Sequence, residues 1–446
     1  MNHEKEYIEI FDRHRQLIEE PCARLLNIER EKAFIRFKAL GFPKSNDEQY
    51  RHSNVAKLFA TDFGMNLGRI NINASPTELF TCDVPNLNTR QEFLINDSYY
   101  KGGNNKKELP EGVLLGSLND FAESSHELLA PYYNRLAGNG DSIAQFNTSF
   151  VQDGLLLYIP RGVEIEETIQ IVTMLHSGID MMSNRRLLII LGESAKANIL
   201  ICDHSSNNNK SLSTQVSEIF LADGAQLNLY EIEETDNNNA RLAQLYVRQN
   251  SNSRFNHCNV TLTNGFTRNL TEVVLDGEGA ETDISGLVIN DKQQHTDNRT
   301  LVEHRTPRCN SNELYKYILD ENSTAVFAGK MLIRPGAQQT NSQQTNRNLC
   351  LTSCARMYAQ PQLEIYADDV KCSHGSTVGQ LDENALFYMQ QRGIPIQEAR
   401  HLLMFAFAGE VIDKIAIDAI RDRLHMLVEK RFRGELNRCK GCTLCK

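Results

Sequence analysis

Three thiols crowd the last nine residues, Arg438-Cys439-Lys440-Gly441-Cys442-Thr443-Leu444-Cys445-Lys446. Two consecutive Cys-x-x-Cys steps bring Cys439, Cys442 and Cys445 near enough to share one metal ion, and the flanking Lys and Arg favour the thiolate that binds it. Three ligands with one place open suit a metal or a cluster. A redox pair is the other chemistry this spacing serves, and a frayed terminus with incidental cysteines is the plainer alternative. A second candidate is Leu363-Glu364-Ile365-Tyr366-Ala367-Asp368-Asp369-Val370-Lys371-Cys372-Ser373-His374, whose alternation reads as one strand with Leu363, Ile365 and Ala367 facing the core. Cys372 and His374 share a face whichever way the alternation runs, with backbones roughly 6.6 Å apart. A thiolate and a neutral imidazole suit iron or zinc, which usually take four ligands, so this pair makes an incomplete site. The rest must come from elsewhere in the chain, from a second chain or from bound cargo. The plainer alternative is a half-buried Cys and a hydrogen-bonded His at a strand end. Cys350 and Cys354 read as two positions on one face of a further strand, where burial accounts for them.

Several chemistries are missing. Ala328-Gly329-Lys330-Met331 lacks the first Gly and the hydroxyl residue of a phosphate-binding loop, and there is no His-Glu-x-x-His or Gly-x-Ser-x-Gly segment. The chain is not expected to hydrolyse ATP alone. A net charge of −10 and a pI near 5.7 argue against nucleic acid as the partner. The longest apolar run, Leu402 to Ala408, is far short of the ~20 residues of a membrane span. The polar start, Met1-Asn2-His3-Glu4-Lys5-Glu6, does not read as a secretory signal, and an odd count of 11 cysteines does not read as a disulfide framework. A cytoplasmic protein without a membrane part is expected.

The elements that carry these residues fall into three regions. Ile8, Phe11, Leu17 and Ile18 suit one helix face and Leu25, Leu26, Ala33, Phe34 and Phe37 another, ending at Gly41-Phe42-Pro43; a further helical pattern runs near Phe121 to Leu136. From about Ile143 the pattern changes to short runs such as Thr168–Val172, Arg186–Leu191, Ser217–Leu221 and Gln226–Tyr230, separated by Asn, Asp, Gly and Ser. The turns at Gly192, Ala222, Asp276 and Asp320 share a loose phrase without a strict period. Roughly 200 residues of short strands without long helices point to a stack of coils. Helical periodicity returns after Gly379. Asp382 can cap a helix carrying Leu386, Phe387 and Met389, ended by Gly393, and Pro395 suits a first turn. Ala399, Leu402, Leu403, Ala406 and Phe407 then form an apolar side that Ile415, Ile420, Leu424, Leu427 and Val428 continue. Packing against a helical neighbour and a partner-binding groove are both open for this stripe. The expected organisation is residues 1–142 helical, 143–379 a parallel β-helix, 380–434 helical and 435–446 a Cys-rich tail.

One segment is specific enough to carry a resemblance. From Asn346 to Val411 the chain resembles the SufB/SufD family of iron–sulfur assembly scaffolds: Pro361-Gln362-Leu363-Glu364-Ile365-Tyr366-Ala367-Asp368-Asp369-Val370-Lys371-Cys372-Ser373-His374-Gly375, then Thr377-Val378-Gly379, Phe387-Tyr388, Gln391-Arg392-Gly393-Ile394 and Ala406-Phe407-Ala408. Weaker echoes are Asp153-Gly154 through Ile159-Pro160-Arg161-Gly162-Val163, and Gly41-Phe42-Pro43 with Glu48 and Tyr50. Tyr50 stands where the family often has Trp, and Cys350, Cys354 and the tail lie outside its pattern. The resemblance implies a mainly β fold, a right-handed parallel β-helix flanked by N- and C-terminal helical domains. It implies a non-enzymatic subunit that pairs with SufB and binds the ABC-type ATPase SufC through helices carrying Phe387, Leu402, Leu403, Phe405 and Phe407. It places the heterodimer interface on the final β-helix strands. His374 matches a histidine implicated in building the nascent cluster and Cys372 its neighbour, with the remaining ligands from SufB; a transient iron–sulfur cluster and no tightly bound cofactor are expected. A homodimer of the isolated chain stays open. Two rivals are a SufB-type paralogue, against which Cys372-Ser373-His374 argues, and a polysaccharide-acting β-helix enzyme, which an export signal would accompany.

Overall fold

The computed structural model describes residues 3–44, 46–69, 89–102, 108–205 and 209–434. The fold is mainly β. From Leu155 to Gly379 the chain passes back and forth between two sheets, each built of parallel neighbours, and winds about seven turns of a solenoid. Each coil buries its face on the next, because the same kind of residue recurs at the same rung. One inward column of the first sheet reads Leu157, Ile189, Ile219, Val247, Val273, Val302, Met331 and Leu363. All but Leu363 are buried in the central core. Parallel strands covered on both faces read as continuous apolar runs, which is why these strands stand out in the sequence.

The missing period has a physical cause. At one corner of six successive coils a residue has positive φ, and Ser194, Gly224, Asn252, Gly279, Arg308 and Gln339 fill it in turn. Only two of the six are glycine, so no single motif marks the corner. The turns at Gly192, Ala222 and Asp276 belong to this corner, each N–H bonding the carbonyl one coil back (Ala222 N–H to Leu191, 3.0 Å). Asp320 belongs to the opposite corner, above Asn290 (2.9 Å).

Helices cover both outer faces. Among the described residues, in chain order, they are α1 (His3–Glu19), α2 (Arg24–Leu40), α3 (Leu118–Ser124), α4 (His126–Leu129), α5 (Ser142–Phe150), α6 (Glu383–Gln391), α7 (Ile396–Ile412) and α8 (Asp418–Phe432). α1, α2 and α5 pack Tyr7, Phe11, Phe34, Phe37, Phe146 and Phe150 onto Met182, Leu212 and Leu242 of the first sheet. Leu17, expected on the buried face of α1, is instead 45% exposed. Before α5, Thr89–Ile95 pairs with Thr168–Met174 and adds a first rung to the second sheet, and Leu114–Ser117 pairs with Leu155–Tyr158 of the first. α7 and α8 lie on the second sheet, where Leu200, Tyr230, Val260, Leu287, Leu314 and Ile318 meet Met404, Ala408, Val411, Ile412, Leu424 and Val428. The buried stripe of α7 therefore runs through Met404 and Ala408. Leu402 and Ala406 face solvent, and of the α7 part of the expected stripe only Ala399 is buried, whereas its continuation through Ile415, Ile420, Leu424, Leu427 and Val428 is buried throughout.

A buried ion pair locks the first helical layer to the coils. Arg186 and Glu218, both fully buried, meet at 2.6 Å, and Glu218 also accepts the backbone N–H groups of Asn134 (2.7 Å), Leu136 (2.8 Å) and Ala137 (3.1 Å). Glu218→Gln leaves the Arg186 charge uncompensated, so a loss of about 3 kcal/mol is expected. Urea unfolding should show it, and hydrogen exchange should rise first at residues 134–137. An unchanged midpoint counts against this anchoring role.

Candidate functional site

Cys372 and His374 lie on Val370–Gly379, the last strand of the second sheet. The stretch from Leu363 to His374 is not one strand, as its alternation suggests. The preceding strand, Arg356–Ile365, belongs to the first sheet; the chain turns at Tyr366–Asp369, tucking Ala367 inside, before crossing to the second. A corner rather than a bulge separates Leu363 from Cys372. The two residues still share a face, being two positions apart in one strand.

That face is the inside of the solenoid at its open end. His374 continues the inward column Leu229, His257, Ile284, Glu313, Gln344, and Cys372 continues Leu227, Phe255, Thr282, Ser311, Ser342. Both columns turn polar in the final coils. His304 Nε2 lies 2.8 Å from Ser311 Oγ, which donates to Ser342 Oγ at 2.8 Å, one rung below Cys372. Gln344 Nε2 donates to Glu313 Oε2 at 2.7 Å, one rung below His374. Ser376 Oγ donates to Asn346 Oδ1 at 3.0 Å. Across the lumen, the matching positions of the opposite strand are Met357, Ala359, Pro361 and Leu363. The mouth thus has an apolar wall and a polar wall, with Cys372, His374 and Ser376 on the polar one. Cys372 is half-buried and His374 exposed. No further coil covers either last strand, so both sheets end in an unpaired edge among the described residues.

Burial pushes the Cys372 thiol up, against a smaller opposing pull from a hydrogen bond with the Ser342 backbone, so the free chain holds a thiol there. No group of three or more His, Cys, Asp or Glu among the described residues could hold a metal ion. Cys439, Cys442 and Cys445 lie outside the described residues. Cys350 ends Thr340–Cys350, whereas Cys354 is exposed in the turn that follows, so they do not share a strand.

The expected docking residues sit apart from the mouth on the C-terminal helices. Asp382 caps α6 by accepting from Asn384 N (2.9 Å) and Ala385 N (3.3 Å), as its sequence suggests. No side chain of α6 is buried, and Phe387 is 63% exposed. Leu402 and Phe405 line a groove of roughly 140 Å³ with Glu398, His401, Glu429, Phe432 and Arg433. Leu403 and Phe407 are half-buried, and Lys316 Nζ donates to the Phe407 carbonyl (2.9 Å) and sits over its ring. Sequence reasoning did not single out Glu313, Gln344 or Ser342. Thr340–Cys350 is polar on both faces in sequence; its burial alternates and places Ser342 and Gln344 inward, and only the register shows which residues they support.

Glu313 carries a pH signature. Burial raises its carboxyl from the ordinary 4.5 to about 7, and no cation offsets it. The folded chain therefore holds this proton where the unfolded chain releases it. The resulting stability is complete below about pH 4.5 and is lost as pH rises through 7. Glu313→Gln should flatten the fall in unfolding free energy between pH 5 and 8 by about 2–3 kcal/mol. Glu233 and Glu272, also raised to about 7 by burial, sustain the remaining slope. Denaturant titrations at several pH values test this; parallel curves for parent and variant refute it.

Comparison with known proteins places these features in a family context. A model described as the SUF system FeS cluster assembly SufBD core domain matches residues 174–407, and one for the SufBD protein N-terminal region matches residues 1–171. An iron–sulfur cluster assembly SufBD family protein of Synechocystis is 29% identical over 402 residues, 88% of each chain. The iron–sulfur cluster assembly protein SufD of Escherichia coli is 38% identical over 167 residues, 37% of this chain and 40% of its own. A SufBD family protein of Mycobacterium tuberculosis is 31% identical over 297 residues, 65% of this chain and 74% of its own.

Proposed function

This chain belongs to the SufBD family of iron–sulfur cluster assembly proteins, and from that premise we propose that it is the SufD-type scaffold subunit of a complex with a SufB-type paralogue and the ATPase SufC. The observation that carries this reading is the open terminal coil. Among the described residues, Arg356–Ile365 and Val370–Gly379 leave backbone groups unpaired along two parallel edges, the first interrupted at Pro361, and such edges invite another chain. A SufB-type paralogue with its own terminal coil satisfies both edges at once. Pairing there closes the mouth over Cys372 and His374 and adds the ligands these two lack.

In this reading the chain performs no bond-making step of its own. His374 offers an imidazole nitrogen to iron of the nascent cluster, which is cargo rather than a resident cofactor. Cys372 offers its sulfur once metal displaces the thiol proton. The polar columns beneath fix the strand that carries both. SufC docks on the exposed apolar positions Phe387, Leu402 and Phe405, with Leu403 and Phe407 behind them, and its ATP cycle moves the C-terminal helices. The chain acts as a scaffold in this scheme, in the cytoplasm and away from membranes; no helix of the described residues is long and apolar enough to cross one.

Two substitutions test separate halves. His374→Ala, at an exposed position, should leave the fold and SufB pairing intact while iron and sulfide in the co-purified complex drop severalfold. Full cluster content in that variant defeats the proposed ligand role. Leu402→Asp, also exposed, should weaken SufC binding at least about tenfold in calorimetry, a change of roughly 1.4 kcal/mol. Equal SufC affinity in parent and variant defeats the proposed docking surface.

A further inference from the structure

The segment that begins at Gly41-Phe42-Pro43 ends on the unpaired edge of the first sheet. Phe42 is seated in the N-terminal aromatic cluster, stacked on Phe59 (3.9 Å). Residues 46–60 then form a strap over the outer face of the first sheet. The strap follows one outward column, Arg268, Asp297, Val326 and Tyr358, which are rung partners on four successive strands of that sheet. Tyr50 is buried, with the Arg268 guanidinium over its ring (4.0 Å), and it donates to Asp141. Ser53 Oγ donates to Asp297 Oδ2 (2.6 Å) and lies 2.9 Å from Nε2 of His295, whose ring stacks on Phe266 (4.6 Å). His52 stacks on Tyr358, with ring centroids 3.9 Å apart and planes 11° apart. Tyr358 belongs to Arg356–Ile365, the edge strand.

A chain that adds to this edge lies one strand spacing, about 4.8 Å, from Tyr358. Its outward side chains are then cross-strand neighbours of Tyr358 and sit against His52. The surface they meet is basic, in a chain whose net charge is −10. Arg51 and Arg356 are exposed, and neither meets a carboxylate among the described residues. Arg299, in the neighbouring outward column, pairs with Asp297 (3.3 Å) but keeps a buried Nη2 without a partner. Burial first, then Arg51 and Arg299, lower the pKa of His52, and Asp297 opposes them. Asp297 is itself taken up by Ser53, Arg268 (3.4 Å) and Arg299. The strap's own acids, Asp47 and Glu48, precede Tyr50 and so lie at the Arg268 end, three rungs from Tyr358. We propose that the strap is part of the pairing surface: His52 packs against the docked chain, while Arg51 and Arg356 attract a carboxylate on its outward face. This rests on pairing with a SufB-type paralogue and adds the chemistry of the position that faces the strap. The N-terminal helical layer thereby reaches the edge through the strap, and Tyr358 is held in place before the second chain arrives.

Binding kinetics of the full-length chain to the SufB-type paralogue, measured by biolayer interferometry at low and high salt, test this. Arg51→Glu and Arg356→Glu should each slow association about fivefold at low salt, and the difference should shrink at high salt as exposed charges are screened. His52→Ala should leave association unchanged and speed dissociation about threefold, because packing on the docked chain is lost after contact is made. Arg161→Glu, at the far end of the solenoid and 77% exposed, should bind as the parent does. Parent-like association in both arginine variants, faster association in either, or parent-like dissociation in His52→Ala overturns the inference while the pairing itself stands. A parent that does not bind the paralogue overturns the pairing and the inference together. Urea titration of each variant confirms that it is folded.

Discussion

A solenoid satisfies its backbone one coil at a time, and the last coil has no successor. Every interior strand here donates and accepts on both sides, and every inward column closes on the rung above. The start of the stack solves the problem within the chain: Thr89–Ile95 and the short strand Leu114–Ser117 pair on the first rungs, and α1, α2 and α5 cover the adjoining face. The far end has no such cover among the described residues. The strands Arg356–Ile365 and Val370–Gly379 carry half-buried or exposed side chains where their predecessors carry buried ones. Neither bulge nor proline blunts the last strand, a feature expected of an edge kept available rather than protected.

Polarity in the lumen follows from the same constraint. Inside the stack a polar group is tolerable only when a rung neighbour bonds it. The early coils meet this with charge pairs such as Arg185–Asp203 (2.9 Å) and Arg241–Glu231 (3.3 Å), and the late coils with neutral ladders. Glu313 is the exception, a buried carboxyl with amide and hydroxyl neighbours and no cation. A lumen lined wholly by Val and Leu would be more stable in isolation. The polar rungs run through both the early and the late coils and are absent from the apolar column through Val302.

Much of this was legible in the sequence because burial leaves a periodic trace. The pairs Phe11/Ile18 and Phe34/Phe37 mark helix faces, and Asp382, Gly393 and Gly41 mark helix ends. Runs such as Arg186–Leu191 are strands because both faces are covered. The trace fails where covering is one-sided or local. The apolar centre of α7 surrounds the helix, so periodicity could not choose between Leu402 and Met404; the position of the second sheet chooses Met404. The β region reads as starting at about Ile143, yet Ser142–Phe150 form α5, buried on all sides and capped by Asp141. A strand that ends in a corner looks in sequence like a strand that continues, which is why Leu363 to His374 and Cys350 to Cys354 each read as one. Pairing of Cys372 and His374 needed only a two-residue spacing. Their support by Ser342 and Gln344 is a property of register, thirty residues away, which no local pattern carries.

Register also connects the two halves of the proposed scaffold. Glu410 of α7 pairs with Lys316 and with Arg347 (3.2 Å), on adjacent strands of the second sheet. Arg347 is in turn the rung partner of Thr377, three residues from His374 in the last strand. Exposed ion pairs are weak holders by themselves, but Lys316 is nearly buried and also bonds the Phe407 carbonyl, so this contact is stiffer than its neighbours. A force that tilts α7 therefore reaches the mouth through one side chain and one rung, without passing through the lumen. The apolar contacts around Met404 and Ala408 have no direction of their own, and Glu410 adds a directional tie between α7 and the strands beside the mouth. That tie ends one rung from the edge strand that carries Thr377, Cys372 and His374.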